Sequence, residues 1–231
     1  MKEKAKWSIK IAVYIDWFNM FHHMKKVFGK KYYWLDYSSL SKKFCGHNEK
    51  IIKVAFFTAY FRRDKFWQAR HKDYVKALNI MGAETILGKY QEVSKVFSNR
   101  GHNIGNFISK PFLRWLPEKI QKKFLPQRLE YKNFEEKRTD VNIAVNILQD
   151  WLLDKYDKCF IISWDSDISP SIESVKKLKK DKQFILLLPP WAKAHTMDRV
   201  CDTTIEITED HLRNSLLPNI VKHIHRPKWW R

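Results

Sequence analysis

Glycine and cysteine are the scarce residues of this chain, and each shortage removes a class of function. Six glycines in 231 residues leave little backbone for cradling phosphates, and neither GxGxxG nor GxxxxGKS/T occurs, which argues against a dinucleotide or NTP site. Cys45, Cys159 and Cys201 are few, widely spaced and odd in number, so neither a disulfide framework nor a CxxC zinc pattern is present and a reducing interior is expected. The nine histidines show no HExxH spacing. No apolar run is long enough to cross a bilayer. The earliest run is cut by Asp16 with no small-residue cleavage site after it, so the expected location is cytoplasmic, or nuclear in a eukaryote. Acidic residues are also short: 25 Asp and Glu face 44 Lys and Arg, a formal net charge of +19. Such an excess steers polyanions by long-range attraction and counterion release. Nucleic acid is the partner expected from it, with a merely soluble cationic surface as the plainer account.

The length fits one complete core with a sizeable insertion. Residues 9–15, IKIAVYI, read as a buried first strand leading into a helix through Phe21, Met24 and Val27. A second strand is expected at 51–60. A charged helix from about Asp64 to Met81 follows, its inner face drawn from Phe66, Ala69, Tyr74, Ala77, Leu78 and Met81, with Gly82 as its stop. A short strand is expected at 84–87. From Gly88 to Glu136 regular alternation is lost, and an insertion at about 90–132 is predicted, with an amphipathic helix over Leu116 to Leu125. Thr139 is the expected N-cap of a helix carrying Val141, Ala144, Val145, Leu148 and Leu152. Strands at 158–163, 183–188 and 203–207 and a helix from Pro170 to Lys180 complete the pattern. This order predicts an α/β fold in three α/β/α layers around a mostly parallel sheet, one domain over residues 1–231.

Three acidic clusters carry the chemistry: Asp16 with Asn19 in VYIDWFNMF, Asp140 in KRTDVNIAV, and Asp165 with Asp167 in ISWDSDISP. The first and third follow strands, so their carboxylates are expected at the C-terminal sheet edge where ligands bind in α/β folds. Carboxylates gathered there raise one another's pKa unless a cation joins them, and hard oxygen donors suit Mg²⁺ or Mn²⁺. An acidic pocket in a cationic protein points to a metal-dependent enzyme acting on a phosphodiester. Taken singly, Asp16, Asp165 and Asp167 also suit helix caps, and Asn19 a first-turn structural role.

The same segments resemble the NYN domains, the LabA-like branch of the PIN-like nuclease superfamily. YIDWFN carries the strand-end Asp with Asn three residues later, KRTDVNIA the helix start, and SWDSDISP the turn written S-G-D-S-D in that family. The resemblance implies a PIN-like fold and an endoribonuclease in which Asp16, Asp140, Asp165 and Asp167 hold one or two divalent ions and act catalytically, with Asn19 orienting or touching substrate. It implies RNA, single-stranded or structured, as partner. Asn146 stands where many relatives carry a second Asp in the Asp140 helix, and Trp164 where they carry Gly. A catalytically impaired RNA-binding protein on the same fold is the alternative these departures leave open.

Candidate nucleic-acid contacts are Arg62 and Arg63 after the second strand, Lys95, Arg100, Lys110 and Arg114 interleaved with aromatics in the insertion, and Lys137 and Arg138 before Asp140. His22 and His23 lie beside the proposed site. A basic aromatic tail is expected at about 222–231, where Trp229 and Trp230 suit a second copy of the chain, in a homo-oligomer, as readily as RNA.

Overall fold

The strand Ile9–Asp16 (β1) is buried from Ile11 onward, because it has a hydrogen-bonded neighbour on each side. Residues Glu49–Thr58 (β2) and Lys158–Ile162 (β6) both run parallel to it. A strand covered on both faces must be apolar at every position rather than alternating, and AVYI meets that need. The computed structural model of the protein describes residues 8–60, 64–98, 128–178 and 181–230. The chain divides into two compact units, residues 1–90 with 136–231, and residues 91–135.

In the larger unit, Glu84–Leu87 (β3), Gln183–Leu188 (β7) and Thr203–Glu206 (β8) extend the sheet to six strands in the order β3-β2-β1-β6-β7-β8, every pair parallel. Alternate residues of the central strands feed two cores. Ile11, Val13, Ile15, Val54, Phe56, Phe160 and Ile162 face a layer containing Trp17–Phe28 (α1), Tyr37–Lys42 (α2) and Lys65–Ile80 (α3). Ala12, Tyr14, Ala55, Phe57, Cys159 and Ile161 face Thr139–Leu152 (α4), Ser169–Leu178 (α5) and His195–Val200 (α6). The predicted three-layer α/β/α arrangement with a parallel sheet is therefore what the chain forms. Among the described residues no helix is long and apolar enough to cross a membrane.

Several local expectations need correction. The helix α2 was not anticipated, because YSSLSK has no apolar period; it forms on its cap, where Asp36 accepts from the N–H groups of Ser38 and Ser39. On α3 the buried residues are His71, Tyr74, Val75, Ala77 and Leu78, whereas Phe66 and Met81 are exposed; Phe66 instead lies under the Arg70 guanidinium at 3.4 Å. The stretch read as irregular contains Lys89–Ser98 (β4) and Arg128–Lys137 (β5), which pair as a two-stranded sheet. Their apolar residues do not alternate strictly, which hid them. The expected helix over Leu116 to Leu125 lies outside the described residues. The helix expected from Pro170 is α5, which starts at Ser169 after a 3₁₀ turn over Ser166–Ile168.

The C-terminal segment is not an exposed tail. Glu209–Arg213 (α7) is followed by a small hairpin of Ile220–Val221 (β9) and Ile224–His225 (β10) and a 3₁₀ turn over Lys228–Trp230. Trp230 is only 2% exposed. Its ring meets those of Tyr33, Trp34, Trp67 and Tyr74 at 5.5 to 6.1 Å. The sequence pattern HRPKWWR conceals this because a lone buried ring among cations has no period.

Candidate active site

The strand order reverses between β1 and β6, and the parallel register that sets Ile15 beside Ile162 delivers Asp16 and Ser163 together at the C-terminal edge. Such a switch point leaves a crevice between diverging connections. A cavity of about 430 Å³ opens there, and Asp16, Asn19, Glu136, Asp140 and Asp165 line it together with Lys26 and Trp164.

Asp16 ends β1 and caps α1. Its Oδ1 accepts the N–H of Asn19 at 3.0 Å, and its Oδ2 accepts the Ser163 hydroxyl at 3.1 Å. The Ser163 Oγ in turn accepts the Asp165 N–H at 3.2 Å, so the two strand ends are tied through one hydroxyl. The Asn19 side chain does not cap; its Oδ1 accepts the Trp164 N–H at 3.4 Å and latches α1 to the turn after β6.

Asp140 arrives on the first turn of α4, where an acidic group is favoured by the helix dipole. Thr139 is not the N-cap that its type suggests. Arg138 holds that place with a left-handed φ of 78°, and Thr139 turns its hydroxyl and N–H to the Glu136 carboxylate. Gly88 makes room for this turn: a Cβ on it would stand 2.6 Å from Thr139 Oγ1 and 2.9 Å from the Lys137 carbonyl oxygen. Gly88→Ala is accordingly expected to cost about 1–3 kcal/mol of stability by overpacking and to displace the turn that carries Asp140. Urea unfolding checks this, and an unchanged midpoint would mean that the turn yields without cost.

The site is short of positive charge at its centre. Burial above all pushes Asp16 up to about 7, with Asp140 and Asp165 adding to the rise against the opposing hydrogen bonds from Asn19 and Ser163. Asp140 is pushed up to about 6, first by burial and then by Asp165, Glu136 and Asp167. His22 is held below its usual value by burial and by Lys25. His23 Nε2 donates to the Pro190 carbonyl at 2.7 Å, and its ring meets that of Trp164 edge-on.

Of the residues singled out from sequence, Asp16, Asn19, Asp140 and Asp165 share the cavity. Asp167 does not line it; it is exposed, donates its N–H to Asp165 Oδ1, and acts on the cavity only through its charge at Asp140. Lys137, at the end of β5, and Arg138, on the turn leading into α4, are exposed. Arg62, Arg63, Arg100, Lys110 and Arg114 lie outside the described residues. So does the side chain of Lys95, whose backbone belongs to β4.

Glu136, Lys26 and Phe18 went unnoticed in the sequence. A signal for Lys26 existed, since Asn19, His22, His23 and Lys26 follow the spacing of one helical face. Asn146 points away from the cavity: its Oδ1 accepts from Lys53 Nζ, which also binds Asp150. Positive φ among the described non-glycine residues is confined to Arg138, Asp154, Trp191 and Lys222, so Trp164 replaces the family's Gly without left-handed strain.

Among the described residues no three His, Cys, Asp or Glu side chains stand together as a ready-made metal cluster. A caged ion such as structural zinc does not fit that arrangement. Mg²⁺ or Mn²⁺ does fit the donor chemistry, because Mg²⁺ keeps several waters and needs only one or two carboxylates plus substrate phosphate. Asp16 and Asp140, both held above the usual carboxylate range, are the pair best suited to it.

The family model for the NYN domain matches residues 10–209. A solved structure of a protein of unknown function from Vibrio parahaemolyticus superposes with a TM-score of 0.56 at 14% identity, over 93% of this chain and 99% of that one; at that identity the likeness is one of fold. No curated protein matches the chain.

Proposed function

Because this chain belongs to the NYN domain family, a branch of the PIN-like nuclease superfamily whose members are generally nucleases, we propose that it is a metal-dependent endoribonuclease. The observation that carries this reading is the meeting of Asp16, Asp140 and Asp165 in one cavity at the sheet's switch point, with the first two held above the usual carboxylate range. Asp16 and Asp140 would hold Mg²⁺ or Mn²⁺, with Asp165, Glu136 and Asp167 adding negative charge at the margin. A divalent ion bound there supplies an activated water and neutralises charge on the phosphoryl oxygens. Ser163 and Asn19 keep the strand-end carboxylates in place, and no side-chain nucleophile is called for. Lys26 supplies a cation on the cavity wall to receive the phosphate.

Purified protein incubated with RNA and Mn²⁺ or Mg²⁺, against an EDTA control, tests the proposal. A circular RNA makes the test specific for internal cleavage, since it has no ends. Metal-dependent linearisation of the circle is the expected outcome. Binding without cleavage under every metal condition would favour the impaired RNA-binding protein instead.

The net charge of +19 leads to a second expectation for the same preparation. RNA affinity should fall on the order of a hundredfold or more between 50 and 200 mM salt, because each neutralised phosphate releases counterion. Fluorescence anisotropy across a salt series measures the slope, and a flat series would remove the electrostatic basis for RNA as partner.

A further inference from the structure

A second cavity of about 220 Å³ adjoins the acidic one, sharing Phe18 and His22 with it, and its remaining walls include Trp17, Phe21, Trp67 and Tyr90. The rings form a connected set: Trp17 stacks on Phe21 at 4.7 Å, Trp67 meets Phe21 edge-on at 5.2 Å, and Phe18 lies 5.7 Å from Tyr90. Lys25 and Asp64 stand at the same cavity, giving one cation and one carboxylate beside an otherwise aromatic lining.

We propose that this cavity is a nucleobase subsite, which takes one unpaired base of the RNA strand next to the phosphate held in the acidic cavity. The proposal rests on the ribonuclease reading for the identity of the strand. Three features lead to it. The cavity is smaller than the roughly 300–1,000 Å³ typical for drug-sized ligands, which suits a single flat ring system. Aromatic faces bind bases by stacking whatever their sequence, and sequence-tolerant single-strand readers use such platforms. Continuity with the acidic cavity through Phe18 and His22 lets one strand place a phosphate among the carboxylates and its neighbouring base among the rings. Duplex RNA does not meet this geometry, because its bases are stacked and paired and its reading depends on shape. The subsite therefore makes single-stranded segments the substrate class, with Lys25 available to the base edge as donor, while Asp64 caps α3 by accepting the Phe66 and Trp67 N–H groups.

The test uses the full chain and a fluorescein-labelled oligouridylate in EDTA, which keeps the strand intact. A single abasic nucleotide is moved along the strand, and binding is read by anisotropy at each position. One position is expected to weaken binding by about tenfold, within the roughly five- to hundredfold worth of one stacked base, while its neighbours change little. Trp67→Leu, checked for folding by its melting curve, is expected to flatten that profile. A profile flat within about twofold in the wild type overturns the subsite, as does an unchanged peak in folded Trp67→Leu. The wild-type scan stands even if the variant fails to fold. A flat scan from protein that cleaves RNA with Mn²⁺ removes the subsite alone. A peaked scan from protein that never cleaves removes the nuclease reading and leaves the base site.

Discussion

Asp16→Asn is expected to lower metal-dependent RNA cleavage by more than about a hundredfold, since even residues that only support a metal ligand typically cost 10–100-fold. The fold should survive. An Asn side chain retains an oxygen to accept the Asn19 N–H, and its amide can donate to Ser163 Oγ in place of the present reversed bond.

Stability should respond to pH in a direction set by the raised carboxyl. Asp16 stands at about 7 in the fold against an ordinary value of 3.8, so the folded state holds a proton that the unfolded state releases. Its neutral form is tolerated below about 4, and stability is lost as pH rises from there through about 7. In EDTA at pH 8, Asp16→Asn escapes that loss and is expected to exceed wild type by about 1–3 kcal/mol, a discounted fraction of the energy of such a shift. At pH 4 the gain should vanish. Melting curves at the two pH values decide it, and a variant that is less stable at pH 8 would place Asp16 among the structural caps.

The second large effect lies outside the acidic cavity. Trp230→Ala is expected to cost about 3–5 kcal/mol, the usual range for emptying a buried aromatic site, because its ring is enclosed by Tyr33, Trp34, Trp67 and Tyr74. Denaturant unfolding measures the loss. A change below about 1 kcal/mol would mean that the segment sits on the domain without completing its core. The same substitution should leave the proton uptake of the acidic cavity unaltered, since Trp230 is not among the residues that line it.

These expectations show where the sequence is legible. The central strands were readable because burial on both faces demands unbroken apolar runs, as in AVYI of β1 and KCFII of β6. Asp16, Asp140 and Asp165 were readable because each follows a strand or opens a helix, and strand order then brings those ends together. What hid was set by tertiary contact. Glu136 lines the cavity where Gly88 leaves room for its carboxylate and the turn that follows it, and no period records such a fit. Thr139 has the composition of a cap, yet the Glu136 carboxylate claims its hydroxyl and N–H. Trp230 is buried by rings from segments up to two hundred residues away in sequence. The aromatic cavity was not read from the sequence, because its walls at Trp67 and Tyr90 come from α3 and the start of β4 and join those of WFNMF only in the fold.

The central claim is that the acidic cavity exists to take a divalent cation. Calorimetric titration of Mn²⁺ into wild-type protein, repeated in buffers of different ionisation enthalpy, tests it most directly by counting the protons displaced. With Asp16 at about 7 and Asp140 at about 6, Mn²⁺ binding at pH 6.5 should release about one proton, falling toward none at pH 8.5, because a ligating carboxylate must be ionised. Asp16→Asn should bind more weakly and release less. Saturable binding with that pH-dependent proton release is the predicted result, whereas no binding heat, or binding whose proton count ignores pH and Asp16, would contradict it.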